Sequence, residues 1–174
     1  WTGMTRDSIV QNPDEAKRKY TAIKDRLIMK DTQDWDLDRI ESYIEKINPD
    51  LICIDQADKV QIAGQYNAGN ERLRELYRRL RETSKRFECG LLAVSQASAD
   101  ADGKTRLTYT MMEGSKIGKA AESDLILGLG RHSGENEDNK PDNTRFITVS
   151  KNKLSGWHGT IVCSIEPEVS RYVA

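Results

Sequence analysis

Three continuous apolar runs constrain the fold of this chain more than any other sequence feature. They lie at residues 51–54 (LICI), 91–95 (LLAVS) and 124–130 (DLILGLG). Runs of this length without polar alternation are typical of strands buried on both faces of a parallel sheet. Further strand patterns at 145–153, 159–165 and 170–174 follow one another without helices between them. The sequence predicts an α/β fold, a mostly parallel sheet flanked by helices with an antiparallel C-terminal edge.

Helical spacing of apolar residues fills the intervals before and between these runs. Asn12 and Pro13 have the properties of a helix start, with Asn12 as the cap. Asn48 and Pro49 have the properties of a helix end. The first predicted helix begins at residue 13, with apolar residues in helical spacing as far as Leu27, and three more cover 37–47, 71–88 and 113–123. The segment RLIMK at 26–30 is a short strand candidate. Polar segments at 57–70, 97–110 and 131–143 are predicted loops.

Composition limits the class of partner. The 27 basic and 28 acidic residues give a net charge of −1, so any attraction for nucleic acid must come from a local surface. The many basic residues of the 71–88 helix are expected to form a solvated face. No apolar run approaches the roughly 20 residues of a membrane helix, so no membrane partner is expected. At 174 residues the chain is long enough for one domain.

The cysteines indicate a reducing compartment. Cys53, Cys89 and Cys163 are odd in number and far apart, and two of them fall in predicted strands. We therefore expect reduced thiols in the core and neither a disulfide nor a metal cluster.

Polar residues follow three of the predicted strands. Asp55 ends one, Ser95-Gln96 the next, and Lys151 and Lys153 a later one. If the strands run parallel, these groups meet at one edge of the sheet, where α/β proteins bind ligands. An acid, an amide and two ammonium groups are the parts of a nucleoside triphosphate site with Mg²⁺. The alternatives are an aspartate that caps the next loop and lysines that are solvated charges of a hairpin.

Four segments together resemble the RecA-like motor domain of hexameric replicative DNA helicases. They are LICIDQADKV, LLAVSQAS, EGSKIGKAAESDLILGL and SKNKLSGWHGTI, in the family's order, and the likeness covers residues 27–174. The helicases concerned are the bacterial DnaB-type enzymes and the primase-helicases of T7-like phages. The resemblance implies a single motor domain fragment over residues 1–174, from the Walker B strand to the C-terminal hairpin.

The resemblance also assigns roles at the nucleotide. Asp55 matches the Walker B carboxylate that helps to hold Mg²⁺, through water, and Gln96 matches the residue that senses the γ-phosphate of ATP or another NTP. Lys151 and Lys153 match the basic pair offered across a subunit interface to the neighbour's triphosphate. Asp55, Gln96 and Lys153 are thus the implied catalytic residues, and Gln96, Lys151 and Lys153 the nucleotide contacts.

For DNA, the resemblance implies two loops that face a central channel, at residues 57–70 and 97–112. Lys104, Arg106 and Lys116 are the basic candidates for contacts with single-stranded DNA. The implied partners are single-stranded DNA, copies of the same chain in a ring (a hexamer), and a primase and a polymerase. The implied location is the cytoplasm of a bacterium or a phage-infected cell.

The chain departs from the family pattern in three respects. It contains no G-x-x-x-x-G-K-[ST] phosphate loop. Position 153 is lysine where the family usually has an arginine finger, and lysine lacks the planar fork of arginine. Asp100 and Asp102 reduce the attraction of the second loop for phosphate. Because the chain begins at Trp1, we expect it to be a piece of a longer protein or the remainder after processing. In the family the phosphate loop and a catalytic glutamate lie upstream, so both are either cut away before Trp1 or absent by nature.

The expected function is the ATPase part of a ring helicase that couples NTP hydrolysis to translocation on single-stranded DNA. The chain alone is expected to be inactive without a phosphate loop. A RecA-type recombinase is the first alternative on the same fold. A non-catalytic RecA-like module that binds DNA or a partner is the second, and the missing phosphate loop is its main support.

Overall fold

The computed structural model describes residues 3–114, 116–132 and 142–174, and these form five α-helices and six β-strands. The helices are α1 (Arg6–Gln11), α2 (Pro13–Thr21), α3 (Leu37–Ile47), α4 (Gly69–Arg86) and α5 (Lys116–Glu122). The strands are β1 (Leu51–Ile54), β2 (Gly90–Ala93), β3 (Leu125–Gly130), β4 (Thr144–Asn152), β5 (Gly159–Glu166) and β6 (Arg171–Val173). Most of the predicted loop at 131–143 lies outside the described residues.

The core lies between the first sheet and two helices. Strands β1 and β2 pair in parallel, and α3 and α4 cover one face of the pair. Leu37 of α3 and Leu76 of α4 are completely buried there, beside Ile54 of β1. Helix α3 begins and ends as the sequence predicts, because the Asp36 carboxylate caps the Arg39 N–H and Asn48 adopts a left-handed conformation before Pro49.

The opposite face of each predicted buried strand is exposed, so the prediction of burial on both faces is wrong. On β1, Ile54 faces the core, whereas Leu51 and Cys53 are exposed. Exposed apolar residues alternate in the same way on β2 and β3 and include Leu92, Leu125, Leu127 and Leu129. These four side chains are 42% to 53% exposed, so the described residues cover this face only in part. No helix in the described part of the chain combines the length and the apolar character needed to cross a membrane.

The C-terminal strands form a separate antiparallel sheet in the order β3-β4-β5-β6. The predicted antiparallel C-terminal part is confirmed, but the prediction of a mostly parallel sheet is wrong. Among the described strands only β1 and β2 pair in parallel, and they share no ladder with the second sheet. The strand β3, which continuous apolarity predicted correctly, therefore runs antiparallel to its hydrogen-bonded neighbour.

The N-terminal part departs furthest from the expected structure. Helix α2 begins at Pro13 as predicted but ends at Thr21, and the Asn12 side chain makes no capping hydrogen bond. No strand forms at residues 26–30, where Ile28 and Met29 are largely exposed. A strand needs a neighbour for its backbone groups, and none of the described strands runs alongside this segment.

The three thiols have different environments. Cys89 and Cys163 are buried as predicted, but Cys53 lies on the open face of β1 and is exposed. Burial raises the pKa of the Cys89 thiol, which lowers its thiolate fraction at neutral pH. We expect Ellman's reagent to modify the Cys53 thiol rapidly in the native chain and the Cys89 and Cys163 thiols only after unfolding. Replacing Cys53 with serine should abolish the rapid phase, and equal rates for all three thiols would contradict this arrangement.

Candidate functional site

Asp55 and Gln96 follow neighbouring parallel strands at the same edge of the first sheet. Ile54 of β1 is the register partner of Ala93 of β2, and beyond the paired strands the Ala57 N–H donates to the Val94 carbonyl oxygen at 3.0 Å. The two strands thus end together. The structure brings the predicted acid and the predicted amide to one edge, as the sequence order required.

The Asp55 carboxylate is exposed and held in place by its own backbone. Its Oδ1 atom accepts a hydrogen bond from the Gln56 N–H at 2.9 Å, and Gln56 has a left-handed φ of 53°. This is the one hydrogen bond of the carboxylate among the described residues. Mg²⁺ typically takes one or two carboxylates, several waters and substrate phosphates. An accessible, oriented carboxylate fits that ligand set, and no group of three metal-ligating side chains occurs in the described part of the chain.

Gln96 lies at the base of the second loop. The Gln96 side chain is exposed, and the backbone carbonyl oxygen of Gln96 accepts a hydrogen bond from the Glu113 N–H at 3.1 Å. An isolated β-bridge between Ala97 and Met112 closes the loop next to this bond. The Gln96 backbone is therefore joined to both ends of the loop.

A buried polar cluster lies beside this edge, formed by Asp58, Tyr77, Ser95 and Lys119. Lys119 of α5 is 1% exposed, and its Nζ lies 2.7 Å from Asp58 Oδ2 and 2.8 Å from Ser95 Oγ. The Tyr77 hydroxyl donates to Asp58 Oδ1 at 2.9 Å. Burial and the adjacent Asp58 carboxylate raise the pKa of Tyr77, so the phenol remains a donor. We call these four residues the Lys119 cluster.

Sequence reasoning missed the Lys119 cluster because charged residues on a short helix are usually solvated. One signal was available. Lys119 lies between Gly118 and Ala120, and these small residues allow α5 to approach α4 closely enough to bury the whole turn.

Lys151 and Lys153, here called the lysine pair, lie at the carboxyl end of β4 as expected, but this end lies beside the start of β3. Asn152 pairs with Leu125, the first residue of β3, because β4 runs antiparallel to β3. Lys151 donates to the Ala120 carbonyl oxygen, and Lys153 Nζ lies 3.7 Å from Asp124 Oδ1. Burial, and then the charge of Lys153, lowers the pKa of Lys151.

Helix α4 contacts both regions, at different points along its length. At its start, Arg72 donates to the Asp58 carbonyl oxygen at 2.6 Å. Nine residues further, about 13 Å along the helix axis, Arg81 lies 3.6 Å from Asp124, which also pairs with Lys153. The lysine pair belongs to the second sheet, whereas Asp55 and Gln96 follow strands of the first. The prediction that all four groups meet at one sheet edge is therefore wrong for the lysine pair, because it assumed parallel strands.

Two of the three candidate DNA contacts, Lys104 and Arg106, belong to the second loop, which is anchored at several points, and the third, Lys116, begins α5. Lys104 and Arg106 are exposed, without an ion pair among the described residues. Lys116 lies 3.8 Å from Asp100, an exposed pair of small energetic value. The loop packs against β3 and β4: a side chain at Gly128 would meet the Leu107 backbone, and the Tyr109 N–H donates to Ser150 Oγ.

Much of the basic face of α4 is neutralised within the chain. Arg78 pairs with Glu75 and Glu82 on the same helix, and Arg79 with Asp38 and Glu41 of α3. Ion pairing raises the pKa of Arg78 and of Arg79. The expectation that these charges form a helix face without a binding role fits this pairing.

The fold of the chain is similar to that of solved ATPase and helicase structures. No protein-family model matches the chain, and no curated protein matches its sequence. A solved structure described as a protein's ATPase domain superposes with a TM-score of 0.81 at 15% identity and covers 99% of this chain. A DnaB-like replicative helicase, described with its interactions with primase, gives a TM-score of 0.74 at 16% identity over 94% of this chain.

The likeness confirms the predicted resemblance for the fold. The chain has the fold of the motor domain of DnaB-type replicative helicases. It spans 66% of the chain of the first structure, the ATPase domain, and 42% of the DnaB-like helicase chain.

Proposed function

We propose that this chain is the motor part of a ring-shaped replicative helicase that couples NTP hydrolysis between subunits to translocation on single-stranded DNA. The observation that supports it most is the position of Asp55 and Gln96 at the ends of adjacent parallel strands, on the fold of a helicase ATPase domain. The proposed assembly is a ring of identical chains, a hexamer, that works with a primase and a polymerase in the cytoplasm of a bacterial or phage-infected cell.

In this mechanism Asp55 would hold Mg²⁺ through water ligands. Bound there with ATP, the ion would supply charge neutralisation at the phosphates. The exposed Asp55 carboxylate is suited to this because the Gln56 N–H fixes one oxygen and leaves the other accessible. The Gln96 amide contacts the γ-phosphate, and its backbone passes the contact to the second loop.

The remaining predicted residues act at other surfaces. The lysine pair belongs to the second sheet and not to the strand ends that bear Asp55 and Gln96, and it serves a neighbouring subunit's triphosphate. The Lys153 side chain is 44% exposed and accessible for such a contact. Lys104, Arg106 and Lys116 contact the phosphates of single-stranded DNA. Such contacts are electrostatic, so DNA affinity should fall steeply with salt.

The test is the ATPase activity of the complete gene product with and without single-stranded DNA. We expect Asp55→Asn to lower the DNA-stimulated rate by at least about 100-fold, because the substitution removes a charge that acts on the transition state. Asp50→Asn is the matched control, since Asp50 is exposed and immediately precedes β1, at the opposite end of the strand. A wild-type protein without DNA-stimulated hydrolysis, or an Asp55 variant with full activity, would overturn the proposal.

A non-catalytic RecA-like module is the second candidate, favoured by the lack of a phosphate-loop motif in these 174 residues. It predicts DNA or partner binding without any nucleotide hydrolysis by the complete gene product. Binding that is unchanged in Asp55→Asn, together with undetectable hydrolysis in wild type, would support it.

A further inference from the structure

We propose that Lys119 is a positioning residue that holds Gln96 and the base of the second loop in one arrangement, so that phosphate sensing at Gln96 reaches the loop. The inference rests on the proposed function and adds to it a residue that makes no contact with nucleotide or DNA.

The Lys119 ammonium uses all three of its donors. They bond to Asp58 Oδ2 at 2.7 Å, Ser95 Oγ at 2.8 Å and the Glu113 carbonyl oxygen at 2.7 Å. These acceptors come from three segments: the turn after β1, the end of β2 and the end of the second loop. A buried ammonium with three donors satisfied in different directions fixes the relative positions of the segments that supply the acceptors.

Two of these acceptors lie on either side of Gln96. Ser95 precedes Gln96 in the chain, and the Glu113 N–H donates to the Gln96 carbonyl oxygen at 3.1 Å. Lys119 therefore holds the residue before Gln96 and the residue hydrogen-bonded to it. A displacement of the Gln96 backbone therefore either carries this arrangement with it or breaks one of these hydrogen bonds.

The third acceptor connects the cluster to the other strand. Asp58 lies three residues after Asp55, in the 3₁₀ turn Ala57–Lys59. It also accepts hydrogen bonds from Tyr77 Oη and Ser95 Oγ. Lys119 thus joins the strand end that bears the proposed Mg²⁺ carboxylate to the strand end that bears the proposed sensor.

Stability alone does not account for this charge. A buried ion pair can often be replaced by apolar residues of similar volume without loss of stability, because desolvation of the charges offsets their attraction. The ammonium does supply directional bonds, and the acceptors stay in register only while all three bonds are made.

The first experiment measures amide hydrogen exchange in this chain. The variant is Asp58→Asn/Lys119→Met, which removes both charges and leaves neither one buried without a partner. We expect the Glu113 and Ser98 amides to exchange at least about tenfold faster, because they close the loop base, while the amides of the β4–β5 ladder keep their rates. Unchanged exchange at Glu113 and Ser98 would overturn the positioning role. Lys119→Arg with Asp58 unchanged keeps the charge, so its Glu113 and Ser98 amides should exchange more slowly than those of the double variant.

The second experiment measures ATP hydrolysis by the complete gene product. In the double variant the ratio of DNA-stimulated to DNA-free rate should fall at least about tenfold, while KM for ATP changes less than about twofold. A variant that retains the wild-type ratio would overturn the coupling role. A wild-type protein without stimulated hydrolysis would instead refute the proposed function, and the exchange experiment would then decide the positioning role by itself.

Discussion

Replacing Asp58 with alanine should lower the free energy of unfolding by about 3 kcal/mol, because it removes the counter-ion of a buried ammonium. Lys119 is 1% exposed and cannot easily reach water, whereas Asp58 is 24% exposed, which places the expected cost at the lower end of the range for broken buried pairs. Tyr77 and Ser95 lose an acceptor at the same time. Urea unfolding followed by circular dichroism measures the effect, and the thermal midpoint should fall by roughly 6 to 12 °C.

Asp100→Ala provides the matched control for Asp58. Asp100 also pairs with a lysine, at 3.8 Å, but its side chain is 75% exposed. Solvent screens such a pair, so its loss should cost less than about 1 kcal/mol. If Asp58→Ala and Asp100→Ala are equally stable, the buried ion pair contributes no more to stability than the exposed one, which would contradict this prediction.

Leu76→Ala should lower the free energy of unfolding by about 2 to 5 kcal/mol, because it opens a cavity in a completely buried part of the core. Leu76 is 0% exposed and packs where α4 meets α3 and β1. The cost depends on how far these elements can close the cavity. The midpoint of urea unfolding should fall while its slope with urea concentration stays constant.

Leu154→Ala is the control for the core substitution. Leu154 is 77% exposed, after β4, so its truncation should change the stability by less than about 0.5 kcal/mol. An equal effect of the two leucine substitutions would mean that the cluster around Leu76 is not the core of the folded chain.

The sequence predicted the positions of most strands correctly, but it predicted the burial of their side chains less well. LICI, LLA and LILGLG form strands where continuous apolarity predicted them. The same continuity predicted burial on both faces, yet Leu92 and Leu127 are about half exposed. Apolar character fixes the preference of a residue for the interior, but an interior exists only where another element covers the face. The RLIMK segment failed as a strand for the same reason, since no described strand lies beside it.

In the candidate site, likewise, the sequence predicted one part of the arrangement correctly and another part wrongly. Asp55 and Gln96 lie at one edge because Asp55 immediately follows β1, Gln96 comes three residues after the end of β2, and the two strands are register partners. These positions follow from the order of residues along the chain. The lysine pair was misplaced because strand direction was assumed. The antiparallel pairing of β4 with β3 puts Lys151 opposite Ile126, near the start of β3.

The amino-acid sequence by itself determined where the strands lie and which acid and amide follow them, because both depend on neighbours within a few residues. Only the tertiary structure decided that Lys119 is a buried ion-pair partner while Lys116, three residues earlier, is not. Lys119 and Asp58 are 61 positions apart in the chain, and their contact depends on how α5 packs against α4 and the strand ends. No local pattern encodes a contact of that separation, since burial of a charge is set by packing between distant elements.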